Sequence, residues 1–352
     1  TNFYGYDDEK NILYYQSNEN SPLTKSIYSI DIKGKNKKLL SKPNGINDAD
    51  FSKTFKYFIN TYSNANNPNY ITLQNNQGKL IRVLKDSKKL LDILNEYNLS
   101  TKEFFSFKTE YNVMLNGWMM RPQNFVKNKK YPVLMYVYGG PGNQQVVDSW
   151  SSHYMWYQLL CQNDFIIVCI DNRGTGGRGA EFKKCTYQEL GKLETEDQIS
   201  GAKYLSSLEY VDKNRIGIWG WSYGGYMSSL CLLKGHEYFN TAIAVAPVTN
   251  WRFYDTIYTE RYMRTPQENP DGYDLNSPIN YVDLLKGNYL LIHGSADDNV
   301  HYQNTMEMIS ALVESNKQFE LFVYPDKNHG IYGGNTRIHL FTKITNFVMQ
   351  NL

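Results

Sequence analysis

Apolar and polar positions follow two different rhythms along this chain. Up to about residue 85 the apolar residues come in short runs: Asn11–Gln16, Ser26–Ile32, Phe55–Tyr62, Tyr70–Gln74 and Leu80–Leu84. Polar clusters such as Ser63-Asn64-Ala65-Asn66-Asn67-Pro68 separate them. Short runs punctuated by Asn, Gly and Pro predict β-strands joined by tight turns. Lys88–Tyr97 has helix-like spacing at Leu90, Leu91, Leu94 and Tyr97 and is a candidate bridge between the two regions. From about residue 104 the apolar runs become continuous, at Val133–Tyr138, Phe165–Ile170, Arg215–Trp219, Thr241–Ala246, Tyr289–His293 and Phe319–Tyr324. Helical stretches lie near 153–163, 195–208, 226–234, 301–315 and 337–350. Near-continuous apolar strands between helices predict a mostly parallel sheet buried on both faces, hence an α/β domain.

The front region repeats loosely. Tyr28-Ser29-Ile30 precedes Gly34 much as Tyr70-Ile71-Thr72 precedes Gly78, at offsets of 42 (28 to 70) and 44 (34 to 78). A period in the low forties with about four strands is the size of one β-propeller blade. Two copies cannot close a propeller, which needs at least ~4 blades. The expectation is therefore the C-terminal part of a propeller over residues 1–100, cut within or just before its last blades, and an α/β domain over 101–352. A small accessory β-domain is the reading that periodicity alone leaves open.

Composition changes this picture little. A chain of 352 residues is comfortable for two domains, and 41% hydrophobic residues suffice for a sizeable core. The 30 tyrosines suit surfaces that pack on one side and hydrogen-bond on the other. The net charge of +2 gives no reason to expect a nucleic-acid or anionic-membrane partner. The basic run Lys33-Gly34-Lys35-Asn36-Lys37-Lys38 reads as a solvated turn. Cys161, Cys169, Cys185 and Cys231 form no C-x-x-C pair, so neither a metal site nor a redox motif is expected. No apolar run approaches the ~18 residues that span a bilayer. The chain opens on Thr1 rather than Met, so its natural start is expected to lie upstream and export cannot be judged from the leader.

Candidate chemistry sits at the ends of the apolar runs. Arg215–Trp219 leads directly into Gly220-Trp221-Ser222-Tyr223-Gly224-Gly225, and helical spacing succeeds it. This is G-x-S-x-G between a strand and a helix, where a sharp turn exposes a serine hydroxyl beside a helix N-terminus. A serine nucleophile needs a base and an acid to orient it, and in α/β-hydrolases these come in the order Ser, acid, His. The strand Tyr289–His293 runs into Gly294-Ser295-Ala296-Asp297-Asp298, and Phe319–Tyr324 into Pro325-Asp326-Lys327-Asn328-His329. Ser222, an aspartate and His329 thus stand in the required order at strand ends, with Asp297 and Asp298 equally placed for the acid. His293 lies within a strand and reads as structural, and His301 begins a helix, where capping or packing is the plain reading. The oxyanion needs preorganised donors. One is the Tyr223 N–H, and the other comes from the Gly139-Gly140-Pro141-Gly142 loop or the Tyr138 phenol. Asp171-Asn172-Arg173-Gly174-Thr175-Gly176-Gly177 lacks a Lys-Ser/Thr ending and reads as a structural turn, not a phosphate loop.

The long motifs resemble a known family. Gly220–Gly225, His293-Gly294-Ser295-Ala296-Asp297-Asp298-Asn299-Val300-His301, Asn328-His329-Gly330, Ala246–Trp251 and Tyr258-Thr259-Glu260-Arg261-Tyr262 are similar to the dipeptidyl peptidase IV branch of the prolyl oligopeptidase family. Gly330–Thr336 resembles its bacterial members. The resemblance covers the region from about residue 104 onward, and the front part resembles the last propeller blades. It implies an α/β-hydrolase with Asp297 as the triad acid beside Ser222 and His329. It also implies that Tyr138 joins the Tyr223 N–H in the oxyanion hole. Val248, Trp251, Tyr254, Tyr258 and Val300 match the wall of a proline-accepting pocket, Asn299 a residue that binds the adjacent substrate carbonyl, and Arg261 a supporting arginine. For Tyr254 and Tyr258 alone, four residues apart, helix packing is the competing reading.

The implied activity is release of Xaa-Pro, and less readily Xaa-Ala, from peptides with free N-termini, through an acyl-enzyme and without cofactor or metal. Prolyl tripeptidyl peptidase, acylaminoacyl peptidase and a non-catalytic binding relative are the alternatives. Homodimerisation through the catalytic domain and a periplasmic or cell-surface location are further expectations of the resemblance. The paired glutamates that hold the substrate's amino terminus in that branch have no counterpart in residues 1–103, where each glutamate, Glu9, Glu19 and Glu96 among them, is isolated.

Overall fold

In the computed structural model, which describes residues 2–352, the short runs of the front region become two four-stranded antiparallel sheets. The first is β1 (Asn2–Asp7), β2 (Ile12–Ser17), β3 (Ser26–Asp31) and β4 (Lys38–Leu39), paired in that order. The second is β5 (Ile46–Phe51), β6 (Tyr57–Asn64), β7 (Asn67–Asn75) and β8 (Leu80–Lys85), paired likewise. Each is a meander of blade size. The repeat is tighter than the sequence alone suggests. Asp31 Oδ1 accepts from the N–H groups of Lys33 and Lys35, and Asn75 Oδ1 accepts from those of Gln77 and Lys79. The two turns are 44 residues apart (31 to 75), as are β1 and β5 (2 to 46). Tyr14, Ile27, Leu40 and Phe58 form the core of these sheets, and the Tyr14 and Phe55 rings stack at 5.3 Å.

Three strands here escape the apolar pattern: β1 and β5, whose apolar residues are interleaved with Asn, Asp and Gly, and β4, which is two exposed residues long. Phe55, which sequence reading places inside a strand, instead takes a left-handed turn (φ 50°). Lys88–Asn95 forms the expected helix, α1. The chain divides into two units, one running to Lys102 with Val146–Met155 added, the other comprising Glu103–Gln145 and Trp156–Leu352. The added segment is held to the second sheet by Asp148, whose carboxylate accepts from the Gly45 and Ala65 N–H groups at 3.0 and 2.8 Å.

The second unit is built on an eight-stranded sheet. Its strands are β9 (Lys102–Lys108), β10 (Met114–Met120), β11 (Tyr131–Val137), β12 (Ile166–Asp171), β13 (Val211–Trp221), β14 (Thr241–Val245), β15 (Asn288–Gly294) and β16 (Glu320–Tyr324). Their spatial order is β16-β15-β14-β13-β11-β12-β10-β9. Every pairing from β12 through β11 to β16 is parallel, and β10 runs antiparallel to β12. Every residue of β12 and β14 is buried, which is what a sheet covered on both faces requires. The helices are α2 (Tyr154–Gln162), α3 (Ala180–Lys184), α4 (Lys192–Ser206), α5 (Tyr223–Lys234), α6 (Thr256–Met263), α7 (Pro270–Asp274), α8 (Gln303–Glu314) and α9 (Thr336–Asn351). Because β11, β13, β14, β15 and β16 are mutually parallel, their C-terminal ends share one edge of the sheet. Among the described residues no helix is long and apolar enough to cross a membrane, and no cluster of potential metal ligands occurs.

Candidate active site

The residue after β13 is Ser222, with φ 61° and ψ −119°, a conformation that L-residues seldom adopt. The turn is forced by close approach. A Cβ on Gly220 would lie 2.2 Å from the Gly224 carbonyl oxygen, and one on Gly224 2.2 Å from that of Val137. Glycine is therefore the residue that lets β13, α5 and β11 converge here. The Ser222 N–H donates to the Val245 carbonyl at 2.8 Å, pinning the turn to β14. Ser222 itself is half-buried at the N-terminus of α5, where the helix dipole favours negative charge.

Asp297 and His329 come from the loops after β15 and β16. Their side chains meet, His329 Nδ1 to Asp297 Oδ2, at 2.7 Å. Asp297 is buried, whereas Asp298 is exposed, so the loop geometry separates two residues that sequence patterning could not. Asp297 Oδ1 accepts from the Asn299 and Val300 N–H groups, both at 2.9 Å. Burial works against its ionisation, but the bonds from His293, His329 and the backbone outweigh that and hold the carboxyl well below the usual range. His329 is fastened in turn, because the Trp221 indole N–H donates to its carbonyl at 3.0 Å.

Tyr138 comes directly after β11, and its ring lies 6.0 Å from that of Tyr223. Gly140 makes this possible, since a Cβ there would fall 2.8 Å from the Tyr138 ring and 3.1 Å from the Tyr223 ring. The Asp171–Gly177 turn braces this loop. Asn172 donates to the Gly139 carbonyl at 3.0 Å, and Arg173 is bound to Asp197 through Nε and Nη2. Burial raises the pKa of the Tyr138 phenol.

The aromatic residues assemble around the segment after β14. Val248, Trp251 and Val300 are buried, while Tyr254 and Tyr258 are half-exposed. Tyr254 caps a short 3-10 turn (Trp251–Phe253) and Tyr258 lies on α6, so they do not share a helix. They meet edge to face at 5.4 Å, and Tyr258 stacks on Trp251 at 6.0 Å. Burial pushes the Tyr254 phenol up to about 12, and the group donates to Asn299 Oδ1 at 2.8 Å. Tyr254 and Asn299 border a cavity of about 320 Å³ with Asp255, Asp298 and His301. Arg261 is exposed and lines another cavity, of about 500 Å³, with Pro141, Lys183, Tyr187 and Tyr262.

Sequence reading misses two groups. His293 sits in β15 as expected, but its Nε2 lies 3.2 Å from Asp297 Oδ2 and 2.8 Å from the Val300 carbonyl, so it braces the acid. Its position four residues before an aspartate is the available signal. Glu194 is fully buried and accepts from the Tyr223 phenol at 2.8 Å. The helix expected from residue 195 starts at Lys192, and the later expected start leaves Glu194 in a loop.

Known proteins resemble the chain along its whole length. The Prolyl oligopeptidase family matches residues 150–352, and the Dipeptidyl peptidase IV (DPP IV) N-terminal region matches 1–69. A probable dipeptidyl-aminopeptidase B from Arthroderma benhamiae is 38% identical over 93% of the chain and 37% of its own length. The corresponding protein from Botryotinia fuckeliana is 38% identical over 98% of the chain and 38% of its own length. The crystal structure of Porphyromonas gingivalis dipeptidyl peptidase 4 superimposes with a TM-score of 0.97 at 47% identity, covering 100% of the chain and 50% of that structure. A putative dipeptidyl aminopeptidase IV from Bacteroides ovatus gives 0.90 at 32% identity, with the same coverage. The chain spans well under half the length of these curated relatives and half that of the solved structures.

Proposed function

Because the chain belongs to the prolyl oligopeptidase family, whose match takes in residues 150–352, we propose that it carries the hydrolytic machinery of a serine exopeptidase releasing Xaa-Pro, and less readily Xaa-Ala, from free peptide N-termini. The observation that carries the reading is the 2.7 Å bond between His329 Nδ1 and Asp297 Oδ2 at the sheet edge that also bears the strained Ser222. Asp297 accepts the hydrogen bond from Nδ1–H and leaves Nε2 of His329 free to act as base. His329 removes the Ser222 proton as the hydroxyl attacks the substrate carbonyl, then returns it to the leaving amine. The oxyanion is held by the Tyr223 N–H and the Tyr138 phenol. Water, activated by the same histidine, releases the acyl group.

Val248, Trp251, Tyr254, Tyr258 and Val300 form the box for proline, a compact apolar ring without an N–H. Such a box rejects larger side chains by clash. Asn299 holds the neighbouring substrate carbonyl and Arg261 supports that side. Homodimerisation through the catalytic unit belongs to the same reading, and an amino-terminus clamp would have to come from residues other than Glu9, Glu19 and Glu96. The test compares hydrolysis of a Gly-Pro chromogenic substrate with that of its N-terminally blocked form, alongside fluorophosphonate labelling of Ser222. Cleavage of the free form alone is expected wherever the clamp is supplied. Cleavage of both forms, or of neither while Ser222 still labels, would mean a sound hydrolase core whose specificity element is not supplied by these residues, and failure to label Ser222 in folded protein would overturn the peptidase reading.

A further inference from the structure

Glu194 is buried behind the candidate site, and the proposed reaction leaves it without a role. Its Oε1 accepts from the Tyr223 phenol at 2.8 Å and its Oε2 from the Gly191 N–H at 3.0 Å. Among the described residues no cation forms an ion pair with it. Arg173, near the same turn of α4, is committed to Asp197 at 2.7 Å. The ionisable groups that face Glu194 are Tyr223 and Tyr226 from α5, Tyr258 from α6, Cys185 beyond α3, and Asp197 on α4 itself. A buried carboxylate without a cation is costly, and an apolar side chain of similar volume would fill the space without that cost. What only a carboxylate supplies here is an acceptor for both donors.

The donor it holds is central to the site. The Tyr223 ring touches Tyr138 at 6.0 Å, Trp251 at 5.4 Å and Tyr226 at 5.3 Å. It is therefore wedged between the residue assigned to the oxyanion and the residue assigned to the proline box. We propose that Glu194 is a positioning residue of the hydrolytic site, its carboxylate anchoring the Tyr223 phenol and so setting the spacing of Tyr138 and Trp251. The proposal rests on the serine-peptidase reading of the same site.

Both donors point at the carboxyl, an arrangement completed by the ionised form. A proton on Oε1 reverses the bond and turns the Tyr223 hydroxyl away, whereas one on Oε2 competes with the Gly191 N–H and loosens the carboxyl that holds the phenol. Burial raises the pKa of Glu194 to about 8, so this change falls within the range in which such an enzyme is assayed. Turnover therefore rises as pH passes upward through that value.

The experiment measures kcat and KM for a Gly-Pro chromogenic substrate, and the fluorophosphonate labelling rate of Ser222, from about pH 6 to about pH 9.5. It uses the wild-type chain, Glu194→Gln, Tyr223→Phe and the double variant, with thermal unfolding in parallel. Displacing an oxyanion donor costs less than the 10²–10³ of losing one, so Glu194→Gln is expected to lower kcat about tenfold and to raise KM by a smaller factor, since the Trp251 wall shifts with Tyr223. The step near pH 8 should vanish from turnover and labelling alike. The double variant should fall no further than the worse single one, because both remove the same bond. Glu194→Gln with wild-type kcat, labelling rate and pH profile, and only a shifted Tm, would mean packing alone and overturn the proposal. Should that variant fail to fold, Tyr223→Phe carries the test, and an unchanged pH profile there has the same force. A wild-type Ser222 that never labels sinks the peptidase reading instead, a distinguishable result.

Discussion

Asp297 shows how a few hydrogen bonds decide the state of a buried group. Burial alone would favour the neutral acid, yet His293, His329 and two backbone N–H groups make the carboxylate the stable form. Its pKa in the folded chain lies below that in the unfolded chain. It therefore contributes stability above the ordinary carboxylate range, and that contribution is lost as pH falls through the folded value. Asp297→Asn should flatten this acid limb in unfolding experiments. It should also lower kcat by roughly 10³–10⁴, because the amide favours the wrong histidine tautomer. A variant with wild-type turnover would remove Asp297 from the proposed mechanism. At this scale the sequence is informative where residue order carries the chemistry, as with Ser222, an aspartate and His329. It is silent where a contact joins distant segments: nothing local at Glu194 points to Tyr223, 29 positions away.

Elements are legible in proportion to how fully they are buried. The parallel strands β11, β12, β14 and β15 are apolar on both faces and stand out as continuous runs. Strands β9 and β10 mix Lys, Asn and Gly with their apolar residues and give no comparable run. The short helices α3, α6 and α7 are five to eight residues long, too short to display helical periodicity. The segment Val146–Met155 illustrates a further limit, since Asp148, Trp150 and Tyr154 attach it to the blade unit through bonds to residues 50 or more positions away, which no local pattern announces. Asp148→Ala would strip the acceptor from the Gly45 and Ala65 N–H groups. Each donor left buried without a partner costs about 1–3 kcal/mol. The expected result is a lower denaturant midpoint for the blade unit with the slope unchanged. An unaltered midpoint would mean that water replaces the carboxylate.

For the whole molecule, the two blades share a design. The 31–35 and 75–79 turns use the same bonding pattern, with Gly34 and Gly78 at φ 75° and 79°. The loose repeat in the sequence is enough to suggest this, but the register comes only from the fold. The second unit stands on a different logic, in which one strained residue is held by everything around it. An L-residue with the backbone angles of Ser222 costs on the order of 1–3 kcal/mol, which glycine largely escapes. Ser222→Gly should therefore leave the chain inert yet raise its unfolding free energy by about 1 kcal/mol, whereas Ser222→Ala should leave it inert with no such gain. Denaturant unfolding of the two variants beside the wild-type chain checks this, and equal midpoints would mean that the turn stores no strain. Selection for heat tolerance and selection for turnover then pull position 222 in opposite directions. Were the midpoints to differ as expected, a working Ser222 would cost the chain thermal life that its inert glycine variant keeps.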